Sequence, residues 1–479
     1  MTNELMAFAI ASPLIGALSA VVIPRYNKSI GLLSVILTTA CVIALLFAVM
    51  SEGGAWQALG GWQTGLGIAL HIDALSVLML LMTAAVGLAI SIYALRYFST
   101  LEKSSRFWPL WLMLIAALNA LYLSADLFNL YITLELLGIS AVALTALGGS
   151  RESTRAALRY LLFGLIGSMG YLFGVAILYI AYGTLDIAQL SQRITPDAAS
   201  LTALTLMSAG LLLKSALFPL HFWLPAAHSN APAPVSAALS ALVVKAGFYL
   251  MLRLWTEVFP NAFSPNASIL IGLLGCAAII WGSWQALQTP RLKLLAAYST
   301  VAQLGYLFVG LMLIVTTPAG VQREIIYGAV ILMALSHAFA KSALFLSIGV
   351  VQQHAGHDRI EELDGTSQKL PATTFTLALA GVALIGLPPS GAFIGKWHLL
   401  SSVISQHQWW LVAVMAIGTL LATAYVFRVL GHAFGNAATA DRPVNMGTQE
   451  WPALILGMTA TFALGLGSAW IWNLLETAA

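Results

Sequence analysis

The chain has 479 residues, 60% of them hydrophobic and only 8% charged, with a mean hydropathy of +0.89. Soluble domains carry about a quarter charged residues, so this composition excludes a soluble enzyme or nucleic-acid-binding module and describes an all-α polytopic membrane protein. The net charge of +3 argues for neither nucleic acid nor an acidic substrate, and Cys41 and Cys276 both fall in apolar stretches, which leaves no disulfide framework and no thiol metal site.

A run of about 20 apolar residues crosses the hydrocarbon layer as a helix. Hydropathy places fourteen spans, near 4–24, 29–50, 73–98, 107–123, 126–147, 154–182, 199–228, 231–255, 266–287, 292–315, 324–352, 371–400, 409–433 and 451–475. The first lacks a basic flank and a cleavage site and reads as a retained helix. Polar Ser124 and Asp126 divide the stretch 107–147 into two spans, and Asp73 and Asp126 stand where a helix N-terminus wants a cap. Between the second and third spans, the Gly-rich SEGGAWQALGGWQTGLGIALHID predicts a small hairpin on the membrane surface. DIAQLSQRI reads as a short amphipathic surface helix and HDRIEELDG as a solvated loop or a contact for a neighbouring subunit.

Cytoplasmic loops carry an excess of Lys and Arg. Loops after odd-numbered spans hold fourteen basic residues (Arg25, Lys28, Arg96, Lys103, Arg106, Arg151, Arg155, Arg159, Arg291, Lys293, Arg359, Lys369, Arg428 and Arg442), whereas loops after even-numbered spans hold Arg193, Arg253 and Arg323. Both termini are therefore expected on the outer side of the cell's inner (cytoplasmic) membrane. Two spans are interrupted, the seventh at KSALFPLHFWLP and the twelfth at LIGLPPSGAFIGKW. Proline removes a backbone donor and clashes with the preceding turn. The two interruptions lie five spans apart, and five is odd, so spans 4–8 and 9–13 form an inverted pair of five-helix repeats. The resulting units are 1–106, 107–258, 259–435 and 436–479.

Apart from charges near span ends, which are counted with the loops or as caps, five charged side chains fall inside spans: Glu135, Lys214, Lys245, Lys341 and Lys396. A charge at mid-membrane costs about 2.5–3.5 kcal/mol even on lenient scales, so such residues usually face a bundle interior or hydrated cavity. Burial and neighbouring charge move the proton affinity of lysine and glutamate towards neutrality, and a row of them can relay protons. The bland reading is a structural ion pair or a lysine reaching an interface, and it weighs most for Lys396, nearest a span end. His337 lies four residues before Lys341 on one helical face, and reads equally as a relay partner or as a core histidine. His221 and His228, beside the first helix break, are weighed in the same way, with the hydrated break favouring a relay. No phosphate-binding loop, haem motif, metal-ligand set, cofactor motif or activated nucleophile is present.

These residues carry a family resemblance over nearly the whole chain. SADLFNLYITLELLGISAVAL, LLKSALFPLHFWLPAAHSNAPAPVSAALSALVVKAGFY, RLKLLAAYSTVAQLGY, SHAFAKSALFL and GLPPSGAFIGKW resemble the antiporter-like subunits shared by Mrp-type Na+/H+ antiporters, respiratory complex I and membrane-bound hydrogenases. DLFNLYITLE and the lysine in span twelve are most similar to the D subunit of an Mrp-type antiporter. The resemblance implies a proton-translocating subunit of a multi-subunit cation/proton antiporter, with Glu135, Lys214, Lys245, Lys341 and Lys396 as relay residues and the Glu135–Lys214 pair as its switch. Its implied partners are other membrane subunits, protons, Na+ as the exchanged ion, and the lipid bilayer. The segment ITLELLGIS is poorer in aromatic residues than the family pattern, which keeps open a proton-pumping subunit of a redox-driven complex or of an inorganic-carbon uptake complex. Whether the chain belongs to an enzyme complex is likewise open, since no redox or hydrolytic site lies within it.

Overall fold

A computed structural model describes residues 2–59, 67–260, 265–435 and 447–477. Helices dominate because a chain in hydrocarbon must satisfy every backbone polar group within itself. In chain order they are α1 (Thr2–Val22), α2 (Asn27–Glu52), α3 (Ala74–Tyr97), α4 (Leu101–Leu123), α5 (Leu127–Ala146), α6 (Arg151–Tyr182), the short α7 (Ile187–Arg193), α8 (Ala198–Lys214) and α9 (Leu224–Asn230). Then follow α10 (Ala233–Val258), α11 (Pro265–Gln288), α12 (Leu292–Thr316), α13 (Val321–Ala355), α14 (Pro371–Ile385), α15 (Gly391–Ser405), α16 (Trp409–Ala433), α17 (Glu450–Leu466) and α18 (Ser468–Thr477).

Their ends are set by side chains with a capping oxygen. Asp73, Thr100, Asp126, Ser150, Asp186, Asp197 and Ser390 each accept from a backbone N–H in the first turn of the helix that follows. The capping role expected of Asp73 and Asp126 is thus observed. A two-stranded antiparallel ribbon, β1 (Ala55–Ala58) with β2 (Ala69–Ile72), pairs Trp56 with His71. It accounts for the two ends of the expected hairpin, whose middle, 60–66, lies outside the described residues, as does Arg442 of the basic loops.

The spans divide into continuous and broken ones. Eleven described helices are long and apolar enough to cross a membrane, or twelve if α17 and α18, bent by 65°, form one span. The remaining two expected spans, 199–228 and 371–400, are occupied by pairs of short helices, α8 with α9 and α14 with α15. These are the two spans whose prolines predict an interruption, and the structure breaks both there.

Burial orders the helices. The apolar windows of α10 and α13 are 100% buried and that of α12 is 89%, whereas those of α6 and α16 are only 33% buried. The inner helices therefore carry Lys245 and Lys341, and the outer ones present Leu, Ile, Phe and Trp outward. Glycines allow close backbone approaches, the means by which membrane helices pack without a hydrophobic driving force, and two glycine pairs show it. Gly167 of α6 meets Gly210 of α8, where a Cβ on Gly210 would stand 2.2 Å from the Gly167 carbonyl oxygen, and Gly275 of α11 meets Gly305 of α12 in the same way.

The buried lysine row and the two helix breaks

At the first break, α8 ends at Lys214 and the chain runs irregularly until α9 begins at Leu224. The freed Leu213 carbonyl accepts a hydrogen bond from Trp223 Nε1 at 2.9 Å, and the Trp223 ring stacks on Tyr160 at 4.2 Å. Lys214 Nζ lies 2.7 Å from Glu135 Oε1 of α5. Ser168 of α6 donates to the same carboxylate oxygen. The Gly167–Gly210 contact sets this geometry, because it draws α8 against α6 with the Lys214 stem beside Gly167. Glu135, Lys214, Gly138, Tyr160 and Gly247 line a cavity of about 30 Å³, room for about two waters.

At the second break, α14 ends at Ile385, and Gly386 takes a left-handed φ of 81°. A Cβ there would meet the Lys396 stem at 2.9 Å, so the position excludes larger residues on two grounds. Lys396, in the second turn of α15, donates to the Ile385 carbonyl at 3.0 Å, and its ammonium stands 4.3 Å from the centre of the Tyr306 ring. Gln303 Nε2 covers the preceding carbonyl, Leu384, at 2.9 Å. Sequence position suggests a lysine near a span end. Because the span is broken, Lys396 instead sits at the break and is 8% exposed.

Between the breaks lie the two fully buried lysines. A π turn (Leu239–Val243) precedes Lys245 in α10, and Lys245 Nζ donates to Ser240 O at 2.5 Å. Ser240 Oγ and Thr300 Oγ1 of α12 share a hydrogen bond of 2.8 Å, and Thr300 Oγ1 donates to Ala296 O at 3.0 Å. That same carbonyl accepts from Lys341 Nζ of α13 at 2.8 Å, and Lys341 also donates to Ser299 Oγ. One turn of α12 thus joins the two lysines, and neither makes an ion pair with a carboxylate among the described residues.

The three candidate histidines have unpartnered ring nitrogens. His228 and His337 are buried with both ring nitrogens lacking a hydrogen-bond partner, and His221 has one such nitrogen. His337 and Lys341 share a helical face as expected, yet no hydrogen bond joins them; Lys341 turns to α12 instead. The imidazole of His337 feels the charges of Lys245, Lys341 and Lys396, and that of His228 feels Lys341, Lys293 and Lys245.

Two basic residues assigned by hydropathy to loops are inside the bundle. Lys293 lies in the first turn of α12, 4% exposed, and donates to Ala231 O at 2.7 Å. Arg253 of α10 is 6% exposed and forms a two-pronged ion pair with Asp73, at 2.6 and 2.7 Å, plus one with Glu257 at 2.5 Å. The acidic HDRIEELDG segment is not wholly solvated either, since its Asp358 is buried and bonds Arg291 Nε and the Lys293 amide. The one signal for this in the sequence is RLKLLAAYST, in which a lysine directly precedes an apolar run.

The fold and site together define a polytopic membrane protein whose broken helices enclose a row of buried lysines. The sequence matches the family described as NADH:quinone oxidoreductase/Mrp antiporter, TM, over residues 124–422, and that of the NADH-ubiquinone oxidoreductase (complex I) chain 5 N-terminus over 56–108. The chain belongs to this proton-antiporter family. It is 36% identical to the N subunit of the NADH-quinone oxidoreductase of Desulforudis audaxviator, covering 98% of this chain and 95% of that one. It is 28% identical to the D subunit of the Na(+)/H(+) antiporter of Bacillus subtilis, covering 98% and 96%. In structure it resembles a chain of the Mrp complex from Dietzia, with a TM-score of 0.90 at 23% identity over 100% of this chain and 96% of that one. A chain of an archaeal membrane-bound sulfane sulfur reductase also gives a TM-score of 0.90, at 27% identity over 99% and 97%.

Proposed function

We propose that this chain is the proton-translocating subunit of a multi-subunit Na+/H+ antiporter, moving protons through Glu135, Lys214, Lys245, Lys341 and Lys396 with His228, His337 and His221 between them. The observation that carries the reading is the link across α12, in which Lys245 and Lys341 converge on the Ser240–Thr300–Ala296 hydrogen bonds. Ammonium groups held by carbonyls and hydroxyls rather than by fixed carboxylates keep acceptors available in either protonation state. The unpartnered ring nitrogens support it as well, because a buried polar atom without a partner costs about 1–3 kcal/mol, which favours water bridging the gaps.

The Glu135–Lys214 pair is the switch on this reading. When it is closed, the carboxylate holds the ammonium charged; when it opens, the lysine loses that support and passes its proton inward. Protons enter from one side near Lys214 and Lys245, cross the centre past His337 and Lys341, and leave near Lys396. Both termini face outward, the membrane is the cell's inner one, and spans 4–8 and 9–13 act as inverted halves. The driving force is worth about 2.3 kcal/mol per charge per 100 mV.

A second reading, a pump subunit driven by redox chemistry in neighbouring subunits, is favoured by the 36% identity to the quinone oxidoreductase relative, above the 28% to the antiporter relative. Purification of the native assembly separates the two, since antiporter subunits support the first and quinone-reductase or hydrogenase subunits the second. The relay itself is tested in vesicles holding the intact complex. Lys214→Ala and Glu135→Ala should each abolish proton movement, and wild-type rates in both would overturn the relay.

A further inference from the structure

The row described so far begins at the first helix break, yet its inner lysines are sealed from the surface. A route in from the face that carries the basic loops lies on the opposite side of His228. There, Tyr97, Glu102, Lys103, Arg106, Gly148 and Asn230 help to line a surface cleft of about 580 Å³, whose floor includes Ala231 and Pro232. Directly behind that floor, Lys293 Nζ donates to the Ala231 carbonyl at 2.7 Å. Near Lys293 stands His228, 0% exposed, its two ring nitrogens unpartnered and within the electrostatic influence of Lys293, Lys245 and Lys341.

Lys293 is also held in register from outside the bundle. Asp358, in the segment after α13, accepts from the Lys293 amide at 3.2 Å and from Arg291 Nε at 3.0 Å, and the Leu292 amide donates to the Asp358 carbonyl at 2.7 Å. Charged groups facing Lys293 are therefore Arg291 on its own helix, Asp358 from the following segment and His228 of α9, with Glu102, Lys103 and Arg106 around the cleft. A lysine pinned at its backbone and bonded at its tip to a single carbonyl can swing between cleft and histidine.

We infer that Lys293 is the inlet residue of the relay, taking protons from the cleft lined by Glu102, Lys103 and Arg106 and delivering them to His228. The inference rests on the relay reading, and its test separates the two. Proton uptake is measured in vesicles containing the full complex, with the basic-loop face in contact with buffers of varied pH, for wild type, Lys214→Ala, Lys293→Ala and Lys293→His. Only assemblies with the complete subunit set are compared. The expected result is loss of uptake in Lys214→Ala, at least tenfold slower uptake in Lys293→Ala, and recovery in Lys293→His with the pH profile displaced towards acid. Loss in Lys214→Ala with a wild-type rate and profile in Lys293→Ala would overturn the inlet and leave the relay standing. Equal slowing in Lys293→Ala and Lys293→His, with the wild-type pH profile kept, would mark a structural lysine and also overturn it. Should Lys293→Ala fail to assemble, the pH profile of Lys293→His decides alone, an undisplaced profile counting against the inlet. A wild-type rate in Lys214→Ala would remove the relay and the inlet together.

Discussion

The two helix breaks solve one backbone problem with different electrostatics. In each, the first half-helix ends in carbonyls that a continuing helix would have covered, and a long side chain from beyond the break covers them: Trp223 on Leu213, Lys396 on Ile385. Each break holds a lysine. At the first, Lys214 faces a carboxylate at 2.7 Å; at the second, Lys396 faces a carbonyl and the Tyr306 ring. A salt bridge can open and close, and its opening changes what the lysine feels. A lysine held by a carbonyl and a ring has no such counter-charge to lose. On the proposed relay, the first break responds to a neighbour and the second receives and releases.

That contrast can be broken by stability measurements on the purified complex. Lys214→Met should cost the most, about 3 kcal/mol, the lower end of the range for removing one partner of a buried pair, because Glu135 retains 20% exposure. Combining it with Glu135→Gln should recover much of the loss, since no uncompensated charge then remains. Additive losses in this double-mutant cycle, read from thermal or denaturant unfolding, would show that the pair is not coupled. Gly210→Ala comes next, at about 1–3 kcal/mol for overpacking, because its methyl would meet the Gly167 carbonyl at 2.2 Å. It should also part Lys214 from Glu135 and slow transport. Gly431→Ala on α16, whose methyl meets nothing within 4 Å, is the control expected to change neither.

Much of this arrangement is legible in the sequence because its signals are strong ones in a membrane protein. A charge in a long apolar run is costly wherever it occurs, so Glu135 and the four lysines stand out without any structure, and prolines mark both breaks. What stays hidden is everything that depends on how far a helix extends past its apolar run. Lys293 and Arg253 look like loop residues because they stand within the last or first few residues of apolar runs, where a charge is counted with the adjoining loop. In the bundle, one caps its tip with the Ala231 carbonyl just past α9 and the other with two carboxylates, and so both are buried. The apolar runs 199–228 and 371–400 are each two half-helices, as the prolines within them indicate, and only the structure places where each half ends. The hydroxyls of Ser168, Ser240, Ser299 and Thr300 carry no sequence signal at all. Serine and threonine are ordinary residues in membrane helices, and only the packing of α6, α10 and α12 shows which ones meet a charge.

The carbonyl covers offer finer tests of the same comparison. Trp223→Phe keeps the stacking on Tyr160 but removes the donor to Leu213 O, and should cost about 1 kcal/mol, the net worth of one hydrogen bond. Because it slackens the end of α8, transport through Lys214 should fall more than stability does, and a transport rate unchanged beside a measurable stability loss would separate the cover from the switch.

The smallest stability change is expected at Lys396→Met, and there the comparison is sharpest. The substitution keeps the volume of the stem crossing Gly386, removes a buried ammonium that makes no carboxylate pair, and leaves the Ile385 carbonyl without its donor. Losing the donor costs about 1–3 kcal/mol, and losing a cation–π contact about 0.5–2. Relief from holding a charge at mid-membrane, about 2.5–3.5 kcal/mol, offsets most of that, so the net change should stay within about 1 kcal/mol. Proton release should nevertheless be lost. A destabilisation as large as that of Lys214→Met would mean that Lys396 is paired with a counter-charge in the assembled complex, and the two breaks would then be electrostatically alike.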